Sequence, residues 1–147
     1  MRRIRALIFD DNESICSVLW RLLEKRGYEV FTFLDPDSCP LHRTPSCNCP
    51  MDHACVDIII TDINMPNVSG LEFIKNQLKK GCKVKNIALM SGAWTDYEAE
   101  YAQRLGCQVF HKPFSLDELN EWLDDCEKKI DTNRALSNWF LVDQISV

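Results

Sequence analysis

Five residues of the 147-residue chain have side chains suited to handling phosphate: Asp10, Asp11, Asp62, Ser91 and Lys112. Three carboxylates brought together repel and raise one another's pKa unless a cation joins them. A hard divalent cation such as Mg²⁺ takes oxygen ligands of this kind. Three carboxylates carry three negative charges; a divalent cation and the Lys112 ammonium supply three positive ones. A site so balanced suits a phosphoryl group, and Ser91 adds a hydroxyl beside it. Taken singly, each residue has a plainer reading. An Asp after a strand usually turns or caps the chain, a Ser does the same, and Lys-Pro is most often loop. The set carries meaning only if the fold gathers it.

The pattern of apolar residues predicts that gathering. Strand-length apolar runs recur at Ile4 to Phe9, Val30 to Leu34, Val56 to Ile60 (with Asp57 as an interruption), Ile87 to Met90, and Val109-Phe110. Most do not alternate with polar residues, which marks strands buried on both faces of a parallel sheet. Helical spacing lies between them. Ile15, Val18, Leu19, Leu22 and Leu23 form one face, stopped by Gly27. Leu71, Ile74 and Leu78 form another, closed by Gly81. A third helix is predicted from Thr95 to Leu105, ending at Gly106. The last starts at Ser115 as N-cap, with Glu118 in the capping-box position. Alternating strands and helices mean an α/β fold. Ligands in such sheets bind beyond the carboxyl ends of the strands. Asp10, Asp11, Asp62, Ser91 and Lys112 all stand there.

Composition excludes several classes. A net charge of −5 argues against a broad polyanion-binding surface, so nucleic acid is not an expected partner. The start MRRIRALIFDD turns acidic after a short apolar run and is not a secretion signal. No segment reaches membrane-spanning length. The expected compartment is therefore the cytoplasm, with the eight cysteines mostly reduced.

The motifs in order resemble the receiver domain of two-component response regulators, over roughly residues 3–130. They are Asp10-Asp11 after LIF, Asp62 in TDINMP with Gly70 following, Ser91 in LMSGA, and Lys112-Pro113-Phe114. The resemblance implies a flavodoxin-like, doubly wound five-stranded sheet of order 2-1-3-4-5. It also implies phosphoryl transfer from a histidine kinase or histidine phosphotransfer protein onto Asp62. The chain would catalyse its own phosphorylation and dephosphorylation rather than turn over a conventional substrate. Asp11 and Asp62 would bind Mg²⁺ directly, Asp10 mainly through water, and the Asn64 carbonyl would complete the protein ligands. Lys112 would pair with a phosphoryl oxygen, and Ser91 would relay the change to a downstream protein target or a second copy of the chain. No output domain follows, so a stand-alone receiver is expected, with residues 131–147 as an extension. Leu136 to Val147, with Trp139, Phe140, Leu141, Val142 and Ile145, is apolar enough to pack. One departure concerns the switch. Val109 stands three before Lys112, where the family usually has an aromatic residue; either Phe110 serves or the aromatic half is absent.

Other readings stand beside this one. A haloacid-dehalogenase-type phosphatase wants Asp-x-Asp, which FDDNE does not supply, and fold likeness alone is a poor warrant for function. A degenerate receiver that only binds partners conflicts with the complete set of five residues. A third reading rests on SCPLHRTPSCNCPMDHAC, residues 38–55, which fall where the second helix should be. Pro36, Pro40, Pro45 and Pro50 forbid a regular helix of useful length there. The segment offers Cys39, His42, Cys47, Cys49, His53 and Cys55. It reads as a loop packed by small thiols, or as a Zn²⁺ site whose metal offsets the entropy of ordering the loop. A metal- or redox-sensing module on a receiver scaffold follows from the second reading. A disulfide would need an oxidising compartment.

Overall fold

A computed structural model describes residues 1–49 and 53–139. Its strands are β1 (Arg5–Phe9), β2 (Glu29–Phe33), β3 (Ile58–Asp62), β4 (Asn86–Ser91) and β5 (Gln108–His111). β1, β3 and β4 are buried at every position, as unalternating apolar runs require. All pairings are parallel, in the order β2-β1-β3-β4-β5, as expected from the sequence.

Successive side chains along each strand supply two cores. Leu7, Phe9, Ile59, Ile87 and Leu89 face one layer, with Phe73, Ile74 and Ala102. Ala6, Ile8, Ile58, Ile60, Ala88 and Met90 face the other, with Leu19, Leu23, Leu119 and Leu123. Helices α1 (Glu13–Lys25) and α5 (Leu116–Lys129) therefore cover one face of the sheet. Helices α3 (Gly70–Lys79) and α4 (Asp96–Arg104) cover the opposite face. The single turn α2 (Pro40–Arg43) lies on that second face through Leu41.

Helix ends follow local chemistry. Asn12 caps α1 by accepting the Ser14 and Ile15 N–H groups, and Gly27 (φ 83°) takes the left-handed turn after it. Ser115 caps α5 by accepting from the Asp117 and Glu118 N–H groups. The reciprocal capping box expected there occurs instead at Thr95 and Glu98, at the start of α4.

Two local findings revise the sequence reading. β3 begins at Ile58, not Val56, because Asp57 serves as a clasp before the strand. Its buried carboxylate accepts from the Arg2 guanidinium at 2.6 and 2.9 Å and from the Arg5 N–H at 2.9 Å. Residues 35–49 hold only a 3-10 turn (Pro36–Ser38) and α2, as the prolines require.

After α5 the chain returns to this same edge of the sheet. The Arg2 N–H donates to the Thr132 carbonyl, Ser137 N–H to Ala54, and the Arg5 guanidinium to the Asn138 side chain. Trp139 packs against the core. Residues 140–147 lie outside the described residues, and most of the apolar tail expected to pack lies among them.

Breaking the clasp leaves a guanidinium and a backbone N–H without their buried acceptor. Asp57→Ala should therefore cost about 3–5 kcal/mol in urea denaturation. A loss within 0.5 kcal/mol, roughly what an exposed position shows, would mean that the clasp is solvated.

Candidate functional site

The carboxyl ends of the strands are held in register past their last residues. Asp10 N–H donates to the Phe33 carbonyl at 3.1 Å, Ile63 N–H to Met90 at 2.9 Å, and Lys112 N–H to Ser91 at 2.8 Å. These bonds bring Asp10, Asp62, Ser91 and Lys112 to one edge. Asp10 is fully buried and Asp62 is 4% exposed. Asp11 is exposed at the rim. One carboxylate oxygen from each of Asp10, Asp11 and Asp62 lies within 4.8 Å of the others.

Lys112 joins the two buried carboxylates. Its Nζ donates to Asp10 Oδ2 at 2.8 Å and stands 3.3 Å from Asp62 Oδ1. Asp10 Oδ1 accepts the Asn12 N–H at 2.9 Å, so both Asp10 oxygens are engaged. Burial alone would lower the Lys112 pKa, but the Asp10 hydrogen bond and the two carboxylate charges raise it above the ordinary lysine value. Asp62 is pushed above the ordinary carboxylate value, first by burial and then by the Asp10 charge, against the pull of Lys112. Three oxygen donors at this spacing, short of positive charge, fit a hard divalent cation.

Gly70 sets the backbone beneath Asp62. A Cβ there would stand 2.0 Å from the Asp62 carbonyl oxygen, which no contact allows. The Gly70 N–H donates to Ile63 O at 2.9 Å, and the Thr61 hydroxyl donates to that same Asp62 carbonyl at 2.9 Å. Ser69 caps α3 immediately before.

A family model for the response regulator receiver domain matches residues 6–124. The chain belongs to that family. It is 28% identical over 117 residues to the alkaline phosphatase synthesis regulator PhoP of Bacillus subtilis, covering 79% of this chain and 45% of that protein. It is 35% identical over 86 residues to the autoinducer sensor kinase/phosphatase CqsS of Vibrio cholerae, covering 58% of this chain and 11% of that protein. It thus spans less than half the length of these curated relatives. Among solved structures, the chemotaxis protein CheY4 of Vibrio cholerae is 25% identical with a TM-score of 0.66, covering 84% of this chain and 98% of that one. A receiver protein from Pseudomonas putida has a TM-score of 0.71 at 24% identity, covering 85% and 98%.

The receiver's switch region departs from the family pattern in a definable way. Ser91 is 1% exposed, and its Oγ accepts from the Asn64 side-chain amide at 3.2 Å and from the Ala93 N–H at 3.0 Å. Phe110 points to the α1/α5 side and meets Trp122 edge-on at 6.0 Å. It is therefore on the wrong face to replace the aromatic residue missing at Val109. Trp94 is on the right one. Its ring packs against the core that Val109 also joins, meets His111 edge-on, and donates its indole N–H to the Phe110 carbonyl at 2.8 Å. Neither Trp94 nor the Asn64 side chain was singled out from sequence. The run Ser91-Gly92-Ala93-Trp94 held the only available signal for the first.

The Cys/His segment divides. Cys39 is fully buried in the apolar core, and burial pushes its thiol up to about 12. His42 stands 3.4 Å from Asp37 and edge-on to Phe73. His53 is half-buried. By contrast, the Cys49 thiol has Cys55, Cys47 and the Trp139 indole as near neighbours. These lie beside Cys82 at the turn after α3, which was not among the residues singled out from sequence.

Two outcomes follow from the acidic edge. Gly70→Ala must move the Asp62 backbone, and should cost about 1–3 kcal/mol of overpacking together with most phosphoryl uptake. The folded chain holds the Asp62 proton more tightly than the unfolded chain. Stability therefore falls as pH rises from about 4, the ordinary carboxylate value, through the raised folded one. In EDTA at neutral pH, Asp62→Asn should therefore raise Tm above the parent's. The gain should vanish below the ordinary carboxylate pKa. A Tm lower than the parent's would show that ionised Asp62 is not under repulsion.

Proposed function

We propose that this receiver takes a phosphoryl group onto Asp62 from a phosphohistidine on a kinase or phosphotransfer protein, and signals through the rearrangement that follows. The supporting observation is the contact of Lys112 with both Asp10 and Asp62 at the carboxyl edge of the sheet. An Asp62 oxygen attacks phosphorus in line, and the phosphorus–nitrogen bond breaks. Its electron pair stays on the departing imidazole, leaving an acyl phosphate. Asp10, Asp11 and Asp62, with the Asn64 carbonyl, would hold Mg²⁺, which supplies neutralising charge for the transferred group when bound.

The remaining work falls to the chain itself. Lys112 already stands 3.3 Å from Asp62 Oδ1, so its ammonium meets an incoming phosphoryl oxygen after a small movement. Ser91 must give up its bonds from Asn64 and Ala93 before it can turn to the same group. That exchange moves the loop carrying Trp94, whose indole hangs on the Phe110 carbonyl. The resulting surface change at β4 and β5 is what a downstream protein would read. All eight cysteines are free, which suits a reducing, cytoplasmic setting. Among the described residues no helix is long and apolar enough to cross a membrane.

Acetyl phosphate with Mg²⁺ should add one phosphoryl mass to the full chain, and EDTA should prevent it. Asp62→Asn should abolish the addition. Lys112→Ala should keep the fold and Mg²⁺ binding but lose the signalling change, read as amide exchange around Ser91 and Trp94. Phosphoryl uptake by Asp62→Asn at the parent rate would refute the assignment.

A further inference from the structure

We propose that Cys47, Cys49, Cys55 and Cys82 form a tetrathiolate site for one Zn²⁺ at the amino edge of the sheet, opposite Asp62. Three of these thiols come from the proline-rich segment. The fourth arrives from the turn that closes α3, so the site would bind two separate stretches of chain together.

Several contacts bring the four together. The Cys49 thiol has those of Cys55 and Cys47 as near neighbours. Cys82 is close enough to feel the charges of Cys47 and Cys49, and its own charge is felt by Cys55. Backbone geometry fixes the same meeting: the Cys47 N–H donates to the Lys80 carbonyl at 3.3 Å, two residues from Cys82. Cys55, Cys49 and Cys82 all pack against one core cluster. Cys39, His42 and His53 are not needed: four thiolates already complete a tetrahedral Zn²⁺ shell.

The surroundings suit thiolate charge. Four deprotonated thiols around Zn²⁺ leave two negative charges, and binding releases four protons. The ammonium of Lys83 acts on Cys49, and that of Lys80 lies near Cys82. The Trp139 indole lies close enough to the Cys49 thiol to act on it, a neighbour of the kind that orients metal ligands. Soft thiolates select Zn²⁺ over the hard cations suited to the carboxylate edge.

The described residues hold one ligand set already closed to metal-binding distance, and that set is the three aspartates. The thiols stand looser. Zn–S bonds of 2.3 Å place sulfurs roughly 3.8 Å apart, so binding would draw them in. Residues 35–49, with a 3-10 turn, one helical turn and three prolines, have little regular backbone bonding to resist that movement. They also have the most to gain, since metal binding would offset the entropy of ordering them.

The full chain, purified under reducing conditions from zinc-supplemented culture, should carry one Zn²⁺ in native mass spectrometry. Stripped and titrated with Co²⁺, it should show the thiolate charge-transfer and tetrahedral d–d bands of a four-sulfur site. Cys82→Ser should weaken Co²⁺ binding by roughly a hundredfold or more, beyond what losing even an outer-shell partner costs. Cys82→His keeps a ligand at that position and should restore binding, with a weaker charge-transfer band. His42→Ala and His53→Ala should bind as the parent does. The site is overturned if Co²⁺ affinity is unchanged in Cys82→Ser, or if the histidine variants lose the metal. It is equally overturned if the reduced parent takes up no metal. Acetyl phosphate labelling of Asp62 is a separate readout, so failure of either assignment leaves the other standing.

Discussion

Two buried carboxylates within reach of one ammonium are the constraint on which this molecule turns. Asp10 and Asp62 sit at the ends of adjacent parallel strands, and the sheet register leaves them no distance to retreat. Lys112 reaches both from β5, across the intervening β4. The aspartates keep the lysine charged, and the lysine keeps them tolerable. The imbalance that remains suits a hard cation. Helix caps, the Gly70 approach and the ladder bonds beyond each strand serve to hold that imbalance still.

Much of this was legible in the sequence because it is local. Each strand-end residue follows its own apolar run, and parallel strands bring such ends to one edge whatever lies between them. The order of the sheet followed from the same runs together with the family resemblance. The single-turn α2 followed from proline spacing. What could not be read were contacts between side chains distant in sequence. Asn64 holding Ser91, Trp94 hanging on β5, and Cys82 meeting Cys49 depend on where loops fall after the sheet has formed. Asp57 was misread for a related reason. A charged residue in an apolar run looks like an interruption, and only Arg2 and the Arg5 N–H reveal it as an anchor.

The aromatic residues near β5 are sorted by the two faces of the sheet. β5 offers Val109 toward the α3/α4 layer and Phe110 away from it, and strand alternation prevents their exchange. Space left beside Val109 is occupied from the neighbouring loop, by an indole with a hydrogen bond that a phenyl ring lacks. The loop from Ser91 to Trp94 is thereby tied to β5 through the Phe110 carbonyl.

β3 has a property that belongs to neither of its ends alone. It begins three residues after Cys55 and closes with Asp62, so the same strand runs from the cysteine margin to the acidic margin of the sheet. At about 3.3 Å per residue, the four steps from Ile58 to Asp62 span roughly 13 Å of a stiff, fully buried layer. Such a strand insulates as much as it connects. The amino margin can lose a helix, gain prolines and collect cysteines while the carboxyl margin keeps its shape. A change of shape at the amino margin would thus have to pass through this buried layer before it could reach Asp62.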